Sequence, residues 1–126
     1  MIIGVGVDIV DVERFTRMIS KSTSMIDRLF TSGEARDASG TSRSAESLAA
    51  RFAAKEAVVK ALGDRGLLRP NDVEVLTFKS GRPGLVLRGE LLSISDKLGI
   101  TNWHVSLAHD GGQAIAYVIA ESRSVS

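Results

Sequence analysis

The chain has no cysteine. Disulfides, thiolate nucleophiles, zinc–thiolate centres and iron–sulfur clusters are therefore excluded. It also has almost no excess of charge: sixteen Lys and Arg face fifteen Asp and Glu, a formal net charge of +1. Bulk charge gives no reason to expect a nucleic-acid or membrane partner, so any such argument needs a local patch. No apolar run approaches the roughly 18 residues that span a bilayer. The N-terminal apolar run has no basic leader and is broken by Gly4, Gly6 and Asp8. It does not read as a signal peptide, and a cytoplasmic location is the expectation. The two histidines, His104 and His109, yield no Ser–His–Asp order. What remains is the composition of one soluble globular domain: 126 residues, 44% hydrophobic and 25% charged, without repeats or low-complexity tracts. One domain over residues 1–126, with one core, is expected.

Residues 2–10 (IIGVGVDIV) are rich in β-branched side chains and read as a strand. Alternation puts Ile3, Val5, Val7 and Ile9 on one face and Gly4, Gly6 and Asp8 on the other. The glycines leave a bare strip of backbone, a mark of close approach, and Asp8 on that strip is a candidate ligand-facing acid. Asp11 caps a following helix whose Val12, Phe15 and Ile19 face the core. Arg14, Arg17 and Lys21 recur on another face with no acid inside their stripe, and Met18 sits beside them. Residues 25–30 form a short apolar element carrying Arg28. Thr31 and Glu34 fit a capping box that opens a short helix to about Gly40. The Ser-rich segment DASGTSRSAES is a surface connection.

Residues 46–62 form the strongest helix, stopped at Gly63. A loop, a strand (VEVLTF), the turn KSGRP and a second strand (GLVLRG) follow. Then come a helix ending at Gly99, a strand (WHVSLAH), the turn Asp110-Gly111-Gly112 and a last strand, QAIAYVIAE. The order β-α-α-α-β-β-α-β-β predicts an α+β fold with a largely antiparallel sheet and a long central helix. On that helix Phe52, Glu56 and Lys60 share one face. Spacing alone makes Glu56–Lys60 an ordinary helix ion pair. Yet the helix is apolar around most of its circumference, and buried charges there need partners or a task. His104 and Ser106 share a strand face, and His109 lies at the strand end beside the Gly-Gly turn, where functional groups concentrate.

Together, GVGVDIVDVERF, RFAAKEAVVKAL, SGRP and HVSLAHD resemble the acyl-carrier-protein synthase group of 4′-phosphopantetheinyl transferases over nearly the whole chain. The resemblance implies the fold of that group and transfer of 4′-phosphopantetheine from coenzyme A to a serine of an apo acyl carrier protein. Adenosine 3′,5′-bisphosphate would be the by-product, and fatty acid biosynthesis the setting. It implies Asp8 and Glu56 as magnesium carboxylates and Lys60 as the third catalytic residue. It places coenzyme A against Phe52, Lys60, Gly63, Gly81, Arg82, Pro83 and His109, and the carrier against Arg14, Met18, Lys21 and Arg28. It further implies a homotrimer with coenzyme A held between subunits. Two departures from the group's pattern stand out. The stretch Gly63-Asp64-Arg65-Gly66-Leu67-Leu68 has fewer glycines than is common there, and Arg82 replaces a frequent Lys, which keeps the charge but changes the donor geometry.

Such a reaction needs charge neutralisation and alignment more than covalent help from the protein. Magnesium prefers hard oxygen ligands, which two carboxylates supply. Two other readings of the same residues remain open here. One is a metal-dependent nucleotide or pyrophosphate hydrolase that attacks with water. The other is a noncatalytic oligomeric module whose cationic helix binds an acidic protein.

Overall fold

The computed structural model describes residues 1–63 and 69–123. Its elements are β1 (Ile2–Asp11), α1 (Val12–Ser20), α2 (Met25–Leu29), α3 (Ser32–Ala35) and α4 (Ala45–Ala61). A 3-10 turn (Pro70–Asp72), β2 (Val73–Thr77), β3 (Pro83–Leu87), α5 (Gly89–Lys97), β4 (Asn102–Asp110) and β5 (Gln113–Glu121) follow. This is the expected α+β order; residues 25–29 resolve as a helical turn of their own. The strands form two antiparallel sheets, β1-β5-β4 and the hairpin β2-β3.

Alternation decides which face of the larger sheet is buried. Ala114, Ala116, Val118 and Ala120 of β5 are all fully buried. Gly4, Gly6, Asp8 and Val10 of β1 lie opposite them, so these side chains share the face that meets α4. Small residues on both sides let backbones approach closely. A Cβ on Gly6 would meet the Ala57 carbonyl oxygen at 1.9 Å, and one on Gly4 would meet that of Ala61 at 2.0 Å. The bare strip therefore receives the central helix, and Asp8 stands where the strip emerges beside it. The opposite face keeps Val5, Val7, Ile9, Ile115 and Tyr117 exposed.

Helix α4 is almost without amphipathic bias. From Leu48 to Leu62 every residue is buried except Phe52, Glu56 and Lys60. Lys55 is thus inside the protein, and its ammonium is fully satisfied there. It donates to Glu34 Oε1 at 2.8 Å and to the carbonyls of Pro70 at 2.7 Å and Val73 at 2.8 Å. Glu34 is equally buried. Its Oε1 also accepts the Thr31 N–H, completing the expected capping box, and its Oε2 accepts the Val75 N–H at 2.8 Å. Burial pulls the Lys55 pKa below its ordinary value, and the Glu34 charge opposes that pull.

Helix α3 ends at Ala35, earlier than the expected stop near Gly40. Asp37 explains the difference: its Oδ1 accepts the backbone N–H groups of Ser39 and Thr41 at 3.0 Å each. These bonds capture the chain in a turn that competes with helix. The remaining stops fall at glycines with positive φ, Gly63 after α4 and Gly99 after α5.

Two changes test this packing. Gly6→Ala forces β1 and α4 apart and is expected to cost about 3 kcal/mol, read as a lowered urea midpoint. Lys55→Met leaves Glu34 charged and unpaired in the core, a loss of about 3–5 kcal/mol. Adding Glu34→Gln to that variant restores part of the loss, and a double variant no more stable than Lys55→Met would count against the pairing.

Candidate active site

The three open positions of α4 form one stripe, because four-residue spacing returns each side chain to the same side of the helix. Beside this stripe, on β1, stands half-buried Asp8. Lys60, one turn beyond Glu56, donates from its ammonium to Asp8 Oδ1 at 2.8 Å and to the Val7 carbonyl at 3.1 Å. Asp8 and Glu56, 48 positions apart in the chain, line the same cavity of about 560 Å³.

Helix α1 makes the other wall. Its start is fixed by Asp11, whose Oδ1 accepts the Arg14 N–H at 3.0 Å. Its apolar side is anchored by Phe15, whose ring centroid lies 6.2 Å from that of Phe30 and 5.6 Å from that of Phe52. Phe52 thus packs against Phe15 and lines the cavity at once. With that side buried, Arg14, Arg17, Met18 and Lys21 face the cavity. The stripe was expected to hold no acid, but Glu13, just outside it, pairs with Arg17 at 2.9 Å. Arg28 lies on α2, exposed and outside the cavity lining.

The other expected coenzyme-binding residues lie elsewhere. Gly81, Pro83 and His109 line a second hollow of about 320 Å³ between α4, β4 and the β2–β3 turn. Arg82 borders a neighbouring hollow beside Trp103. His109 Nδ1 is 3.1 Å from Glu46 Oε2. His104 pairs with Glu121 at 3.0 Å and lines the same hollow as Arg82 and Trp103, apart from His109. Gly63 ends α4 in the left-handed conformation. The rest of its loop, Asp64 to Leu68, lies outside the described residues.

Two arginines in the second hollow escaped the sequence reading. Arg51 is buried in α4, donating to Ser47 Oγ at 2.8 Å and Thr77 Oγ1 at 2.9 Å. Burial, helped by the Arg43 charge, brings its pKa down to about 10. It remains a cation at neutral pH. Among the described residues neither Arg43 nor Arg51 has a carboxylate in salt-bridge range, and the Nε of each is buried without a partner. Two guanidinium groups lining one hollow with a histidine and an open turn make a donor set that would suit an anion. The available signal was the helix itself: on a rod buried all round, a charge off the Phe52–Glu56–Lys60 stripe has to lie inside.

Among the described residues no three His, Cys, Asp or Glu converge on one point. A cation at Asp8 and Glu56 would take two protein carboxylates and complete its shell from substrate oxygens and water. Hard ions that retain water tolerate such a set. The 2.8 Å approach of the Lys60 ammonium shows that Asp8 presents an oxygen to a cation.

Comparison with known proteins bears on the chain's family and fold. A family model described as the 4′-phosphopantetheinyl transferase superfamily matches residues 4–118. A holo-[acyl-carrier-protein] synthase of Salinispora arenicola is 50% identical over 121 residues, 96% of this chain and 99% of that one. An ACPS–CoA complex from Chronobacterium ammoniagenes superposes with a TM-score of 0.79 at 32% identity, covering 96% of this chain and 98% of that one. A holo-[acyl-carrier-protein] synthase of Helicobacter pylori in complex with coenzyme A gives 0.76 at 27%, covering 93% and 99%.

Proposed function

The chain belongs to the 4′-phosphopantetheinyl transferase superfamily, and from that premise we infer that it is a holo-[acyl-carrier-protein] synthase. It transfers 4′-phosphopantetheine from coenzyme A to a serine of apo acyl carrier protein and releases adenosine 3′,5′-bisphosphate. The observation that carries this reading is the shared cavity. Two carboxylates of distant elements, Asp8 and Glu56, meet there with the exposed basic side of α1.

The serine hydroxyl of the carrier attacks the β-phosphorus of the pyrophosphate. A new O–P bond forms as the bond to the adenosine-bearing phosphate breaks, and the hydroxyl proton leaves to water or to the departing bisphosphate. The nucleophile belongs to the substrate, so this chain has to align groups and balance charge. Asp8 and Glu56 suit magnesium, which when bound would neutralise pyrophosphate charge. Lys60 lies within reach of Asp8 and can pass its ammonium to a phosphate oxygen. Phe52 gives that end of the cavity an apolar side. The paired Arg43 and Arg51, with His109 and the Gly81-Arg82-Pro83 turn, suit a further phosphate of the coenzyme. Arg14, Met18, Lys21 and Arg28 offer an acidic carrier a basic, partly apolar surface that can steer its approach.

We read the working form as a homotrimer with sites between subunits. Two features support this. Val5, Val7, Ile9, Ile115 and Tyr117 make an exposed apolar sheet face, of the kind that marks an interaction surface. The coenzyme-binding residues also fall into separate hollows, one around Phe52 and one around His109. A neighbouring copy could join the first of one chain to the second of another. The whole chain then acts as one transferase domain in cytoplasmic fatty acid biosynthesis. No helix among the described residues is long and apolar enough to cross a membrane.

Mass spectrometry of an apo carrier protein incubated with coenzyme A, magnesium and this chain tests the assignment. A phosphopantetheine adduct on one serine is expected. Cleavage of coenzyme A without any carrier would instead support a hydrolase. Asp8→Asn and Glu56→Gln are each expected to lower the transfer rate by about 100-fold while circular dichroism stays that of the wild type. Either variant with undiminished rate would leave that carboxylate outside the site. Arg14→Glu is expected to raise the KM for the carrier by about tenfold, with the KM for coenzyme A little changed. Equal rises in both would move Arg14 out of the carrier surface.

A further inference from the structure

Lys60 stands at the place where a divalent ion would bind. Its ammonium lies 2.8 Å from Asp8 Oδ1 and 3.1 Å from the Val7 carbonyl oxygen. The side chain is 46% exposed, yet its charged end turns back to β1 instead of extending into water. Asp8 is only 17% exposed, so its oxygens are accessible from few directions. An ammonium and a hydrated hard ion seek the same oxygen. If both were held there, three positive charges would crowd two carboxylates.

We infer that Lys60 is a tethered counter-ion, holding Asp8 while the chain is empty and releasing it when a divalent ion binds between Asp8 and Glu56. This rests on the reading of those two residues as the metal carboxylates. Breaking the Lys60–Asp8 pair opposes metal binding in the coenzyme-free chain. A pyrophosphate offers the displaced ammonium another anion, so metal and coenzyme favour each other's binding. By linkage the effect is reciprocal. In the coenzyme-free chain the lysine keeps Asp8 from helping to collect a stray cation, and it then serves the phosphate it is released to.

The test uses Mn²⁺ alone, with free ion read by electron paramagnetic resonance, on the full coenzyme-free chain. A partly exposed ion pair contributes little more than a few-fold in an equilibrium constant, and ammonium–metal repulsion acts in the same direction. Lys60→Gln is therefore expected to bind Mn²⁺ about fivefold more tightly than the wild type. Lys60→Arg, which keeps the charge, should stay near the wild type, and Asp8→Asn should lose most binding. Circular dichroism confirms that each variant is folded. Equal or weaker binding by Lys60→Gln, with Asp8→Asn still defective, overturns the counter-ion role and leaves the metal site standing. Mn²⁺ binding indifferent to Asp8→Asn, or absent from both wild type and Lys60→Gln, overturns the metal site and this inference together.

Discussion

The placement of every group in the cavity depends on how α4 is held. An alanine-rich helix has little shape of its own and could settle on a sheet at many rotations. Two constraints fix this one. The glycine strip of β1 admits its backbone at two points, next to Ala57 and Ala61. Lys55 ties its buried side to Glu34, to the turn at Pro70 and to Val73. With those contacts made, between Leu48 and Leu62 only the Phe52–Glu56–Lys60 stripe is left uncovered, and it comes to lie beside Asp8. The buried ion pair is a costly way to hold a helix. It brings a directionality that apolar contact between alanines lacks.

How much of this the sequence revealed follows from the range of the interactions. Local periodicity exposed the stripe on α4, the two faces of β1, the Asp11 cap and the Thr31–Glu34 capping box. Each involves neighbours within a few residues. Lys55 escaped because its partners lie 15 to 21 positions away, and alone it looked like one more charge beside Glu56. Arg51 escaped for the same reason: Thr77 is 26 positions distant. The early end of α3 was missed because a single side chain, Asp37, bonds the backbone ahead of it and outweighs helix propensity. The glycine strip was correctly read as a place of close approach, and the approaching body proved to be the protein's own helix.

Charge is distributed according to task. Around the first cavity carboxylates and cations are interleaved: Asp8 with Lys60, and Glu13 with Arg17. In the second hollow two positive groups lie together: burial lowers the Arg51 pKa, and the Arg43 charge adds to that effect. A near-neutral chain can thus hold one region suited to a cation between acids and another suited to an anion between bases. Net charge records neither.

The strand order has a consequence for how the molecule comes into being. β5 is the middle of its sheet, and among the described residues β1 pairs with no other strand. Val5 and its partner Ile119 are 114 positions apart. During synthesis the opening segment therefore waits, with its hydrogen-bonding edge unsatisfied, until nearly the whole polypeptide has left the ribosome. Long-range closure of that kind slows folding and prolongs exposure of sticky intermediates, so the growing chain is at its most vulnerable to misassociation just before its final strand emerges.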